Sequence, residues 1–282
     1  MGGAALLHAK NVEIWKNQGN TGRLLVLFYE KPKDTAVWRV LYRCSADMLR
    51  LAVIINPYDK GGGRLCIRNK LLALEYRLVL CTLCGLGILG NLWGANGLYI
   101  LSYYTIQSNI LVWILCLLLV YFGHADIARN GIAGHGGYLP RVKGSITMAI
   151  LFAGLFYHFF LPREGEFTGI SNVLVHYVVP GLCVLDWVLF DPKSSFRWYD
   201  PFLWLAVPVC YMLFAFGLAA LNVRFPHGGR FPYAFMDLDA LGAGGLAFYA
   251  FIILACYMLL GQIYYLMDRF LPLARVPKQI KP

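Results

Sequence analysis

The sequence contains 282 residues, of which 59% are hydrophobic and only 14% are charged, and its mean hydropathy is +0.58. Because an ordinary soluble domain contains about 25% charged residues, this composition excludes that class and indicates a membrane protein. The net charge of +10 does not indicate a nucleic-acid partner, since the basic residues collect beside predicted helix ends rather than on one soluble face.

Residues 1 to 70 differ from the rest of the chain, because they are charged and contain no run long enough to span a membrane. Short β-like stretches, RLLVLFYE and LRLAVIIN, are separated by turn residues. We expect this segment to be a small, poorly ordered cytosolic extension, or upstream sequence with Met48 nearer the true start. No apolar core follows a basic start, so no cleavable signal sequence is predicted.

Hydrophobic runs of about 18 or more residues, enough to cross a bilayer core, recur six times between Leu71 and Met267. They predict helices over residues 72–94, 98–122, 143–162, 172–190, 202–222 and 245–267. Since the connecting loops are short, we predict an all-α integral membrane protein whose residues 71–268 form a bundle of six transmembrane helices. A basic tail follows over residues 269–282.

Lysines and arginines are concentrated on one side of the predicted bundle. They precede or open the first helix, and they lie between the second and third helices, between the fourth and fifth, and after the sixth; Arg77, Lys143 and Lys193 belong to this set. The opposite loops contain few basic residues, so the positive-inside rule predicts that both termini are cytoplasmic. The eight cysteines lie mostly in predicted spans or on that cytoplasmic side, and we expect reduced thiols.

The stretch SYYTIQSNILVW, residues 102 to 113, introduces five polar side chains into the second predicted span. Four of them, Ser102, Thr105, Ser108 and Asn109, share one helical face. With the termini inside and a rise of about 1.5 Å per residue, Thr105 reaches a depth similar to that of two histidines on other predicted spans. The sequence therefore predicts a polar layer.

The histidines of this layer are His158 on the third predicted span and His176 on the fourth. Asn172 lies four residues before His176 and shares its helical face. Pro180 follows four residues later, where its missing N–H leaves the His176 carbonyl unbonded and predicts a kink. An unbonded carbonyl inside a membrane needs a partner or water, so we expect a hydrated pocket that opens outward.

A hydroxyl attacks an ester efficiently when a base takes its proton, and histidine is the usual base. Thr105 and His176 supply these roles, while Asn109 or Asn172 are candidate oxyanion donors. Ser108 is a rival nucleophile. The alternative for a lone threonine is a structural bond to its own helix backbone, but an ionisable group such as His176 inside a membrane usually marks a functional site.

Two other functions fit the same composition. His158, His176 and His227, with Asp237 and Asp239, offer imidazole and carboxylate ligands for a zinc-dependent hydrolase, although no H-E-x-x-H motif is present. A non-catalytic lipid-binding or transport protein is the other alternative, and the lack of obvious repeats argues against a secondary transporter. Charged residues at the other helix ends, Glu75, Arg77 and Asp186, are predicted to be structural pairs or interface anchors.

Two motifs carry a resemblance to a known family: YYTIQSNILV on the second span and SNVLVHYVVPGLCVLDWVLF on the fourth. With six helices and short loops, residues 72–268 resemble the prokaryotic six-transmembrane proteins related to the eukaryotic androgen-induced protein and to the androgen-dependent regulator of tissue factor pathway inhibitor. The resemblance implies a bacterial plasma-membrane enzyme that hydrolyses fatty acid esters of hydroxy fatty acids. It implies Thr105 as nucleophile, His176 as its partner, a lipid substrate taken from the bilayer, and no cofactor.

Overall fold

The computed structural model describes residues 66–93, 97–160 and 169–270, and the backbone of three short strands near the N-terminus. Strands β1 (Ala5–Ala9), β2 (Val12–Lys16) and β3 (Val26–Tyr29) form an antiparallel sheet in chain order. They belong to one compact unit, Met1–Val53, and the helices belong to a second, Ile54–Pro282. Strand β3 lies within the stretch RLLVLFYE, whereas LRLAVIIN and most of the basic tail lie outside the described residues.

Six helices of the second unit are long and apolar enough to cross a membrane, which confirms the predicted six-span, all-α architecture. Consecutive helices α1 to α4 pack side by side, and α6 packs on α3 and on the start of α5. The six are α1 (Lys70–Leu92), α2 (Tyr104–Asn130), α3 (Pro140–Phe160), α4 (Ile170–Phe190), α5 (Asp200–Ala220) and α6 (Leu238–Phe270).

Helix α2 begins later than predicted. Gly97–Ser102 form a 3₁₀ helix, and Tyr103 is extended, with φ −84° and ψ 140°, before α2 starts. Thr105 therefore lies in the first turn of α2, and Ser102 precedes the helix instead of belonging to its polar face. The predicted start at residue 98 was wrong because hydropathy does not distinguish a 3₁₀ helix from an α-helix.

Helix α4 is interrupted where Pro180 predicted a disturbance. Leu174–Val178 form a π-helical turn, and the Val179 N–H bonds to the Leu174 carbonyl five residues back. Pro180 has no N–H to offer the His176 carbonyl, so the irregular turn widens the helix at His176. Single π turns of this kind occur frequently at functional sites.

Two glycines allow α1 to approach this part of α4 closely. A Cβ on Gly87 would lie 2.9 Å from Val175 Cγ1, and a Cβ on Gly90 would lie 2.8 Å from Ser171 Cβ. Small residues permit this close packing between membrane helices. Helices α1, α2, α3 and α4 also share an apolar core. It includes Leu80, Cys84, Ile88, Val112, Cys116, Ile150, Val179 and Cys183.

Asn69 caps α1, and its replacement gives a first prediction. The buried Asn69 Oδ1 accepts hydrogen bonds from the N–H groups of Leu71 at 3.0 Å and Leu72 at 3.1 Å. We expect Asn69→Ala to lower the free energy of unfolding by about 1 kcal/mol, because both N–H groups lose their acceptor. Thermal unfolding in detergent measures this. Asn69→Asp keeps an acceptor and serves as the control, so equal midpoints for the two variants would contradict the capping role.

Candidate functional site

A buried polar group surrounds His176 on α4. The His176 Nδ1 atom lies 3.1 Å from the carbonyl oxygen of Asn172, one helical turn earlier. Because a carbonyl oxygen only accepts, Nδ1 carries the proton of this bond. In the neutral imidazole Nε2 is then the unprotonated nitrogen, and this is the atom that acts as a base.

Helix α3 contributes Tyr157 to this group, a residue that the sequence analysis missed. The Tyr157 ring stacks on the His176 ring, with centroids 3.7 Å apart and planes inclined by 24°. The Tyr157 hydroxyl accepts a hydrogen bond of 2.7 Å from Asn172 Nδ2. Ring stacking and the Asn172 contacts together fix the position of the imidazole.

The predicted partner on α3, His158, lies on another side of the helix. Its side chain is exposed, and Nδ1 is 3.3 Å from the Tyr177 hydroxyl. Adjacent helical residues point about 100° apart. Both rings contact Tyr177, but Tyr157 is the one that stacks on His176 while His158 is exposed. The buried residues Gly154 and Tyr157, three positions apart, share the face toward α4, and this spacing was the signal that identifies Tyr157.

Asn109 links the main chain of Thr105 to that of Val175, the residue before His176. Its Nδ2 atom donates to the Thr105 carbonyl at 2.8 Å and to the Val175 carbonyl at 3.1 Å. Both amide N–H groups are therefore engaged, which makes Asn109 a support rather than an oxyanion donor. Ser108 Oγ also donates to the Thr105 carbonyl, at 3.0 Å, so the predicted rival nucleophile has its proton in a backbone bond.

The Thr105 side chain borders a narrow apolar cavity of about 60 Å³. Helices α2, α3, α5 and α6 form the walls with the segment that precedes α6. His176 is not part of this wall. The side chains that define the cavity include Thr105, Phe152, Phe156, Met212, Tyr233 and Ala250.

Tyr233 brings a second hydroxyl to the cavity. It lies in the segment before α6, and its Oη accepts a hydrogen bond of 3.2 Å from the Tyr104 main-chain N–H. Burial raises the pKa of Tyr233, while the Tyr104 main chain and the Thr105 side chain act in the opposite direction. The phenol therefore keeps its proton at neutral pH and remains a donor. Tyr233 could not be predicted from the sequence, because loop residues follow no helical spacing.

The residues of the zinc interpretation have other partners. His227 Nε2 is 3.1 Å from the Phe231 carbonyl, Asp237 caps the start of α6 through the Asp239 N–H, and Asp239 pairs with Arg230. Within residues 66–93, 97–160 and 169–270, no group of three or more His, Cys, Asp and Glu side chains is arranged to hold a metal ion. The zinc interpretation therefore has no ligand set in that part of the chain.

A buried ionic cluster occupies the opposite end of the bundle. Arg77 Nε lies 3.2 Å from Asp186 Oδ1, and Lys143 Nζ lies 2.6 Å from Asp186 Oδ2 and 2.8 Å from Asp191 Oδ1. Lys143 was predicted to be a charge between two helices on one side of the membrane, but its exposed fraction is only 2%. Lys143 and Arg77 serve ion pairs inside the bundle, so neither acts as a simple topology signal.

Comparisons of the chain with protein-family models, with curated proteins and with solved structures give no match. The resemblance to the androgen-induced protein family therefore stays a prediction. Thr105 borders an apolar cavity, His176 has a fixed tautomer, and Asn109 bonds the Thr105 carbonyl to the turn of α4 that contains His176 through Val175.

Proposed function

We propose that the protein is an intramembrane hydrolase of lipid esters in which Thr105 is the nucleophile and His176 is the base. The observation that carries the proposal is His176 itself. An imidazole buried in a membrane-spanning helix is costly, yet here the ring is stacked on Tyr157 and its Nδ1–H is bonded to a carbonyl. Nε2 is left as the unprotonated nitrogen, and the Asn109 bond to Val175 ties this turn of α4 to the part of α2 that carries Thr105.

The reaction follows the general scheme for a hydroxyl nucleophile. The Thr105 Oγ1 atom attacks the ester carbonyl carbon while its proton passes to His176 Nε2. Collapse of the tetrahedral intermediate breaks the bond to the alcohol oxygen, which takes the proton from His176. Water then attacks the acyl-threonine with His176 again as base, and it releases the fatty acid and restores the Thr105 hydroxyl. The substrate ester has to lie between the cavity and His176 for these transfers.

Tyr233 is the better candidate for the oxyanion contact than Asn109. Both N–H groups of Asn109 are engaged by main-chain carbonyls. The Tyr233 phenol borders the same cavity as Thr105, and its oxygen already accepts from a main-chain N–H, which leaves its own proton to donate. A preorganised donor beside the nucleophile is the requirement for stabilising a tetrahedral intermediate.

The proposal includes the finer features implied by the resemblance. The substrates are fatty acid esters of hydroxy fatty acids or similar lipids, the membrane is a bacterial plasma membrane, and both termini are cytoplasmic. In that orientation Thr105 and His176 are nearer the outer face. The excess of lysines and arginines on one side of the bundle supports this orientation. Arg77, Lys143 and Lys193 are buried, so they do not count as loop charges in that excess.

A non-catalytic lipid-binding or transport protein is the second candidate. One observation favours it: the cavity wall is almost entirely apolar, and His176 lies outside that wall. A wall of this kind favours a hydrocarbon group and requires no chemistry. The two candidates differ in whether Thr105 ever becomes covalently modified.

A fluorophosphonate probe separates the candidates, because it labels only an activated hydroxyl. We expect labelling of the wild type in membranes, and its loss in Thr105→Ala and His176→Ala. Hydrolysis of a lipid ester should fall by about 10²- to 10⁴-fold when the base is removed. Ser108→Ala, one turn along the same helix, is the matched control and should keep labelling. A wild type that is never labelled would favour the non-catalytic protein, and labelling abolished by a chelator would favour a metal.

A further inference from the structure

We propose that an acyl chain of a membrane lipid enters the protein sideways, through a groove between α2 and α5 that leads to the Thr105 cavity. The inference rests on the proposed function only for what happens afterwards, since the groove is defined by geometry alone. It assigns a binding site for the hydrocarbon part of the substrate.

The groove has a volume of about 350 Å³. Gln107, Ser108 and Leu111 form its α2 side, and α5 contributes the other wall. Its rim is accessible, since Leu111 is 37% exposed and Phe214 is 42% exposed. The α5 wall consists of Ala206, Val207, Cys210 and Phe214.

Two tyrosines belong to both the groove and the cavity. Tyr104 and Tyr211 line each of them, and their rings meet edge to face with centroids 5.2 Å apart. The Tyr211 hydroxyl is held by the Ser102 carbonyl at 3.0 Å. The pair therefore forms the partition between the groove and the cavity that Thr105 borders.

The partition also offers a polar atom to a ligand. The Tyr104 phenol oxygen is buried and makes no hydrogen bond of normal geometry within the described part of the chain, although the buried Tyr257 phenol lies beside it. Buried polar groups are normally partnered, and an ester or carboxyl oxygen at the junction of the two spaces would satisfy it. A lipid with its chain in the groove brings such an oxygen to this place.

The bilayer determines which occupant is expected. Helices α2 and α5 both cross the membrane by length and hydropathy, and the side chains beside the groove, such as Leu213 with 67% exposure, are apolar. A groove that opens on such a flank faces lipid hydrocarbon, where water is unfavourable. An acyl chain is therefore the occupant that this site fits.

Photocrosslinking tests the inference without any dependence on catalysis. Full-length Thr105→Ala protein is placed in phosphatidylcholine vesicles that contain a phosphatidylcholine with a diazirine in one acyl chain, and adducts are mapped by mass spectrometry. We expect adducts concentrated on the walls of the groove and at Tyr104. Adducts spread evenly over the exposed apolar faces of α6 as well would overturn the proposal.

Two blocking experiments provide controls. Ala206→Trp fills the groove and should remove more than half of the adducts, whereas Ala255→Trp, at an exposed position of α6, should remove none. Alkylation of the folded protein with a hydrophobic maleimide avoids any folding defect: modification of Cys210 should block the groove, and modification of the exposed Cys256 should not. The proposal would also be overturned if Ala206→Trp and Ala255→Trp reduced the adducts equally, or if modification of Cys210 and of Cys256 did so.

The outcomes distinguish the groove from the hydrolase. Groove adducts in a protein whose wild type is never labelled by fluorophosphonate would leave the lipid site standing and remove the catalytic proposal. Fluorophosphonate labelling at Thr105 together with evenly spread adducts would support the hydrolase and overturn the lipid groove.

Discussion

Gly154→Ala is expected to abolish the proposed lipid-ester hydrolysis and to lower the thermal unfolding midpoint. Gly154 packs directly against the irregular turn of α4, where an added Cβ would lie 2.5 Å from the His176 carbonyl oxygen and 3.3 Å from Pro180 Cγ. A contact of 2.5 Å requires that something move. The nearest atom belongs to the backbone, which cannot rotate away as a flexible side chain does.

Two effects of this substitution have opposite signs. Alanine in a helix interior is favoured over glycine by about 1 kcal/mol, whereas overpacking a tight contact costs about 1–3 kcal/mol and sometimes more. Because the backbone of α4 has to shift, we expect overpacking to win and His176 to leave its place between Tyr157 and Asn172. We therefore expect the rate of hydrolysis to be lost even under conditions in which the variant remains folded.

Gly181→Ala is the matched control for this prediction. Gly181 lies in α4 five residues after His176, and a Cβ there meets nothing within 4 Å. We expect Gly181→Ala to keep activity and to unfold at an equal or higher temperature, since the preference of a helix for alanine over glycine is then the only effect. If Gly154→Ala and Gly181→Ala behaved alike in both assays, close packing of α3 on the His176 turn would not matter for function.

The six spans were predictable because membrane helices are recognised by length and hydropathy alone. The polar face of α2 was also predictable in part, since Thr105, Ser108 and Asn109 do share one buried face. The start of α2 was not, because Leu98 to Leu101 are apolar in either helical geometry. Proline at residue 180 located the irregular turn of α4, although its π-helical form depends on packing.

The residues that were missed share a physical reason. Tyr157 was overlooked in favour of His158 because side-chain chemistry was weighed without the rotation of α3, which turns His158 outward. Tyr233 is positioned by a loop, and a loop has no periodicity from which to predict its neighbours. Lys143 and Asp191 lie near helix ends in the sequence, so only the three-dimensional packing reveals that they are buried.

Asp186→Asn is expected to cause the largest loss of stability among substitutions at the end of the bundle opposite Thr105. Asp186 contacts both Arg77 and Lys143, and two carboxylates balance two cations in this buried cluster. Without the Asp186 charge, Asp191 alone faces both cations, and Arg77 Nη2 lies 3.7 Å from it. An uncompensated buried charge costs about 3–5 kcal/mol, so we expect the variant to unfold at a much lower temperature or to fail to accumulate.

A double substitution shows whether charge balance is the cause. Arg77→Met together with Asp186→Leu removes one cation and one anion, and buried pairs replaced in this way by apolar residues are often neutral. We therefore expect the double variant to be more stable than Asp186→Asn, even though it carries more changes. Disruption of the exposed Arg230–Asp239 pair by Asp239→Asn should leave the unfolding midpoint nearly unchanged, because exposed ion pairs contribute little. If the double variant were the least stable of the three, shape and hydrogen bonding at Arg77 would outweigh charge balance in holding α1, α3 and α4 together.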